Sequence, residues 1–173
     1  MRVAAIVLAA GEASRFGSPK QTLLLPRVLA RLSETSVDEV VVVEGAHALI
    51  PPSDNVSQGV RVVRCDEWAD GPGASLRCGL SSLDDVEAAV VVLADGPNLS
   101  PDAVARVLDE WRRHGGVVAA SYGGDRSHPL VLGRADWSGI PDEGLRDLAV
   151  RLVACDDLGS PGDVDTPEDL EKL

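Results

Sequence analysis

The sequence predicts an α/β protein of three layers, a mostly parallel sheet between helices on both faces. Two observations carry that prediction. Short apolar runs, such as Val3 to Ala10 and Val90 to Leu93, are continuous rather than alternating, so they read as strands buried on both faces. Stretches with helical spacing or helix-start signals separate them, and an alternation of strand and helix builds a parallel sheet. The 173 residues suit one domain spanning the whole chain, with no internal repeat, linker or low-complexity segment evident.

The first strand, Val3 to Ala10, ends in a loop that runs to Lys20. Pro26 predicts the first turn of a helix continuing through Leu32, because a proline there loses no hydrogen bond. Val37 to Glu44 is the second strand; Gly45-Ala46-His47 ends it, and Pro51-Pro52 halts any helix begun there. Val60 to Arg64 alternates enough for a short strand. The glycines after Cys65 make a loop, and Ala74 to Leu83 has helical spacing. Val90 to Asp95 is another buried strand. Ser100 as N-cap, Pro101 at the first position and Asp102 in the first turn open a helix that stops at Gly115-Gly116. Val117 to Tyr122 and His128 to Leu132 form a hairpin around a loose loop, Gly123-Gly124-Asp125-Arg126. Asp142-Glu143-Gly144 leads into a helix from Leu145 to about Val150, Arg151 to Cys155 is the last strand, and Thr166-Pro167-Glu168-Asp169 caps a short final helix.

Apolar residues make up 45%, charged residues 25% and aromatics only 3%, so the core is built from Val, Leu and Ala. The formal net charge of −12 at pH 7 argues against a nucleic-acid surface, which needs a basic patch. It also requires any site for an anion to be locally basic or to hold a metal ion. Cys65, Cys78 and Cys155 are widely spaced and odd in number, which predicts a reducing compartment with no disulfide framework and no zinc spacing. Met1-Arg2-Val3 leads straight into a strand without a signal peptide, and no apolar run reaches the ~18 residues that span a membrane. The expectation is a soluble, cytoplasmic protein.

Chemistry is expected in the loop after the first strand. Small residues at Ala9, Ala10 and Gly11 let a ligand approach the backbone. Successive N–H groups in such a loop form an anion-binding nest, and Arg15 and Lys20 add full charges. Lys20 stands out, because the chain has only one other lysine, Lys172. A polar turn after a strand is the plainer reading, and composition alone leaves both open. Asp95 belongs at the same sheet edge, since ligands of open α/β sheets bind outside the carboxyl ends of the strands. It reads either as a turn former before Gly96-Pro97 or as a magnesium ligand, one of the few carboxylates that Mg²⁺ takes beside phosphate oxygens and water.

Leu8, Ala9, Ala10, Gly11, Arg15, Gly17 and Lys20 fill every fixed position of the signature LAAG-x-x-x-R-x-G-x-x-K. The stretch resembles the MobA-like nucleotidyltransferases, relatives of the molybdenum cofactor cytidylyltransferase and guanylyltransferase. That resemblance implies the Rossmann-like fold of the nucleotide-diphospho-sugar transferases. It implies a loop that wraps a triphosphate, with Arg15 and Lys20 neutralising it. Asp95-Gly96-Pro97 matches the family's Asp-x-Pro, and Asp163 to Leu170 matches Asp-x-Asp-Thr-Pro-Glu-Asp-Leu, which implies Asp165 as a second carboxylate on the same metal. Trp68-x-x-Gly71-x-Gly73-x-Ser75-Leu76-x-x-Gly79 resembles the segment whose serine lies beside the base and ribose. Its plainer reading is a glycine loop with Ser75 in the first turn of a helix. Ser127-His128-Pro129 and Asp142-Glu143-Gly144-Leu145-Arg146 resemble segments lining the acceptor side, which implies His128, Asp142 and Arg146 there. On its own chemistry His128, beside a proline, reads as a loop or strand-edge residue. The chain departs from the family after Lys20, where a longer Gly-x-Pro-Leu segment is usual.

The resemblance thus implies a Mg²⁺-dependent nucleotidyltransferase. An acceptor phosphate attacks the α-phosphorus of a nucleoside triphosphate, CTP by resemblance, and pyrophosphate leaves. A molybdopterin-type acceptor and a molybdoenzyme partner are implied with it. The alternatives are a sugar- or other small-molecule-phosphate nucleotidyltransferase, a nucleotide-binding protein without turnover, and a dinucleotide oxidoreductase. Against the last stands the spacing of Gly11 and Gly17, which is not G-x-G-x-x-G.

Overall fold

The computed structural model describes residues 1–11, 20–49, 59–162, 168 and 169, with the backbone alone at 20–22. Its strands are β1 (Val3–Ala9), β2 (Glu39–Glu44), β3 (Val60–Arg64), β4 (Ala88–Leu93), β5 (Val117–Tyr122), β6 (Asp125–Gly133) and β7 (Arg151–Ala154). The helices are α1 (Lys20–Ser33), α2 (Pro72–Ser81) and α3 (Pro101–His114). The seven strands form one sheet in the order β3-β2-β1-β4-β6-β5-β7. Every neighbouring pair is parallel except those made by β6, which runs antiparallel to β4 and β5.

The period of two along each strand divides the core into two layers. Val3, Ala5, Val7 and Ala9 of β1 join Val90 and Val92 of β4 and the apolar stripes of α1 and α3. Ala4, Ile6 and Ala10 face the other way, with Val91, Leu130 and Leu132, against Leu76 and Leu80 of α2. Runs apolar at every position are therefore explained by covering helices on both sides. On α2, Gly79 lets the helix lie close to the sheet, where an added Cβ would come within 2.9 Å of Val43 and 3.0 Å of Ile6.

The α3 signals act as expected: Ser100 caps the helix by accepting from the Ala103 N–H, and Gly115 closes it at φ 65°. Four expectations need correction. Pro26 lies inside α1 rather than at its first turn, because burial of Leu25, Val28, Leu29 and Leu32 outweighs the cost of one lost hydrogen bond. The hairpin loop is tight: Gly123 and Gly124, at φ 60° and 85°, turn the chain, and Asp125 and Arg126 already pair within β6. Residues 145–150 form isolated turns instead of a helix; Gly144 at φ 88° breaks the spiral, and its N–H is taken by the Pro141 carbonyl. Cys65 and Cys78 are joined by a disulfide, although odd, widely spaced cysteines argued against one. The spacing of 13 conceals that α2 folds back on the exit of β3, bringing the two Cα atoms to 5.7 Å. No helix among the described residues is long and apolar enough to cross a membrane.

Candidate active site at the carboxyl edge of the sheet

β1 and β4 lie side by side in parallel, with Leu8 opposite Leu93, so the chain leaves both strands at the same edge. The Ala94 N–H donates to the Leu8 carbonyl at 3.1 Å, and the Ala46 N–H to that of Ala10 at 3.2 Å, fixing the first residues beyond the sheet. There a cleft of about 330 Å³ is lined by Ala10, Gly11, Trp68, Ser75 and Asp95, among others. Asp95 is half-buried in the turn closed by Gly96 N–H to Leu93 O at 3.2 Å, and Ser75 is buried in α2. Asp95 therefore stands in a turn and lines a cleft.

A larger cleft of about 600 Å³ adjoins the first, sharing Leu8, Pro72 and Leu93 with it. Its floor is aliphatic, from Leu76, Val91 and Leu130, and its polar lining includes Ser127, His128, Arg126, Glu143 and Arg146. The turns at 140–148 form one wall, and two arginines fasten them. Arg77 on α2 donates to the Ile140 carbonyl at 2.6 Å and to Asp142 Oδ1 at 2.5 Å. Arg126 on β6 donates to the carbonyls of Leu145 and Leu148. Two glycines let this wall touch α2: a Cβ at Gly73 would lie 1.7 Å from the Pro141 oxygen, and one at Gly71 2.2 Å from that of Asp142.

The electrostatics separate the charged groups from the neutral one. Desolvation pushes His128 down to about 4, Arg126 adds to the effect, and the negative charge of Asp95 opposes it. At neutral pH His128 is therefore an uncharged ring at the junction of β6 and the cleft.

Leu8, Ala10, Gly11, Ser75 and Asp95 meet in one cleft, with Ala9 buried beneath it in β1. His128 and Arg146 meet in the adjoining one. Asp142 does not line that cleft; its carboxylate pairs with Arg77, and its carbonyl accepts from the Gly73 N–H at 2.9 Å. Arg15, Gly17 and Asp165 lie outside the described residues, and of Lys20 only the backbone, at the start of α1, is described. Sequence reasoning passed over Arg126 as a loop residue. Once Gly123-Gly124 is taken as a two-residue turn, Arg126 falls in β6, and where the register with β5 shifts, Arg126, Ser127, His128 and Leu130 all line the cleft. Among the described residues, Cys65, Glu67 and Cys78 form a grouping of metal-ligand type, but bonded sulfurs offer no thiolate to an ion.

Comparison with known proteins gives this edge a context. A family model described as MobA-like NTP transferase domain matches residues 5–153. The chain is 28% identical over 196 residues to a nicotine blue oxidoreductase of Paenarthrobacter nicotinovorans, covering 99% of this chain and 96% of that protein. It is 27% identical over 140 residues to a probable molybdenum cofactor guanylyltransferase of Bacillus mycoides, covering 75% of this chain and 66% of the relative. The crystal structure of Rv0371c from Mycobacterium tuberculosis superposes with a TM-score of 0.78 at 25% identity, covering 100% of this chain and 97% of that one. A structure of Rv0371c in complex with manganese superposes with a TM-score of 0.72 at 24% identity, covering 99% and 97%.

Proposed function

This chain belongs to the MobA-like NTP transferase family, a family of nucleotidyltransferases, and we propose that it moves a nucleoside monophosphate from a nucleoside triphosphate, CTP foremost, to a small phosphorylated acceptor with release of pyrophosphate. One observation carries the proposal. The cleft holding Ala10, Gly11, Ser75 and Asp95 adjoins the one holding His128 and Arg146 across Leu8, Pro72 and Leu93, which suits two ligands side by side along the carboxyl edge of the sheet.

In this reading the backbone from Leu8 to Gly17 seats the triphosphate, and Arg15 and Lys20 hold the leaving β- and γ-phosphates. Asp95 and Asp165 would hold Mg²⁺, a hard cation suited to the half-buried carboxylate oxygen of Asp95 at the cleft. Described backbone supports the pairing: the Asn98 N–H donates to the Pro161 carbonyl at 2.9 Å, so the chain approaching Asp165 passes beside the Asp95-Gly96-Pro97 turn. When bound, the ion neutralises charge on phosphate oxygens. Catalysis is then positioning and charge neutralisation. An acceptor phosphate that is already ionised needs no general base.

The aliphatic floor of Leu76, Val91 and Leu130 suits an apolar face of the acceptor, and Ser127, His128, Glu143 and Arg146 offer hydrogen bonds and charge to its polar groups. A molybdopterin-type acceptor fits, with a molybdoenzyme as the recipient of the product in the cytoplasm. The test is pyrophosphate release with Mg²⁺ and each triphosphate, with and without molybdopterin or a sugar phosphate. Release that needs CTP and molybdopterin supports the reading, and release with a sugar phosphate alone moves the acceptor class. Lys20→Ala should slow turnover by orders of magnitude, and unchanged turnover would remove its assigned role. A second reading, a dinucleotide-dependent oxidoreductase, is favoured by the name of the relative from Paenarthrobacter nicotinovorans, a nicotine blue oxidoreductase. Cofactor oxidation without pyrophosphate release would decide for it.

A further inference from the structure

The Cys65–Cys78 disulfide closes the base of the segment that walls the smaller cleft. Cys65, just beyond β3, is held to the sheet by its N–H donating to the Glu44 carbonyl at 2.8 Å, and Cys78 lies on α2. Between them come Trp68 and Ser75, both lining the cleft. Trp68 is wedged against the Gly45-Ala10 corner: a Cβ at Gly45 would lie 2.5 Å from Trp68 Cβ and 2.9 Å from that of Ala10. A shift of this segment therefore moves the wall beside the first loop. Cys65 is fully buried and Cys78 half-buried, so one sulfur is within reach of a partner in solution and the other is sheltered. The Glu67 carboxylate lies 3.8 Å from Cys65 Sγ and 3.7 Å from Cys78 Sγ, where it opposes negative charge on either sulfur and tolerates the uncharged disulfide.

We propose that Cys65 and Cys78 are a reversible redox-modification site, and that closing the bridge stiffens the Trp68–Ser75 wall and tightens nucleotide binding. The oxidant is a low-molecular-weight disulfide. The Cys78 thiolate attacks it and releases one small thiol, and Cys65 then displaces the second and closes the bridge. The protein loses two electrons and two protons, and one small disulfide becomes two thiols. The bridge removes conformational freedom from the loop it closes, so less ordering remains to be done on binding. The coupling to binding rests on the nucleotide reading of the smaller cleft.

The full chain is equilibrated with oxidised or reduced glutathione, thiols at Cys65 and Cys78 are counted by alkylation and mass spectrometry, and Kd is measured for CTP and GTP with Mg²⁺. The expected result is protection of both thiols in the oxidised sample and a Kd about fivefold or more lower than in the reduced one. Cys78→Ser should bind as weakly as the reduced protein in both buffers. Free thiols in the oxidised sample would overturn the proposal, as would equal Kd values with the bridge verified, or a tight-binding Cys78→Ser. Nucleotide bound by neither redox form would overturn the nucleotide reading and the proposal with it, whereas equal binding overturns the proposal alone.

Discussion

Asp95 and His128 share a corner of the sheet, yet their environments assign them different work. Asp95→Asn keeps shape and removes a charge, so it should lower nucleotidyl transfer by at least about 10²-fold with little change in Tm. Turnover with Mg²⁺ and a melting curve on the same sample check this, and near-normal turnover would detach Asp95 from the reaction. His128 should report through stability instead. Its folded pKa, about 4, lies below the ordinary 6.5, so between those values the unfolded chain binds a proton that the folded chain does not. Stability therefore falls as pH drops from 6.5 towards 4, by at most about 3 kcal/mol, and this contribution is absent above pH 7. Urea unfolding across pH 4–7 should show that slope for the native chain and a shallower one for His128→Gln. Identical slopes would contradict the assignment.

Two elements carry residues that local rules disfavour. Pro26 interrupts α1 at an exposed position whose neighbours Leu25, Val28 and Leu29 are buried. Pro26→Ala restores a backbone donor and loses no packing, so it should stabilise the fold by about 1–3 kcal/mol, read as a higher urea midpoint. A lower midpoint would mean that the proline fits a bend which the helix needs. At α2 the direction reverses. Gly73→Ala drives a methyl into the Pro141 carbonyl and should cost about 1–3 kcal/mol, with raised acceptor KM as the turns at 140–148 are pushed away. The sequence marks Gly71 and Gly73 as loop formers; that they let one wall of the site press on another follows only from the fold.

The molecule as a whole places its two clefts where three distant stretches converge: the exit of β1, the start of α2, and β6 with the turns at 140–148. Arg126 ties β6 to those turns. Arg126→Gln should therefore raise acceptor KM about tenfold, equivalent to about 1.4 kcal/mol, while nucleotide Kd stays within twofold. Equal losses in both would make Arg126 a general stabiliser. Much of this plan was legible beforehand. The apolar runs, the Ser100-Pro101-Asp102 cap and the loop signature are local patterns set by side-chain period and backbone chemistry, and they determined the layers, the strand direction around β1 and the family. Contacts between stretches remote in sequence were not legible, because no local rule encodes them. The Cys65–Cys78 bond, the pairing of Asp142 with Arg77, the clamp made by Arg126 and the neutrality of His128 each depend on what another element brings within a few ångströms, the range over which packing, hydrogen bonds and desolvation act.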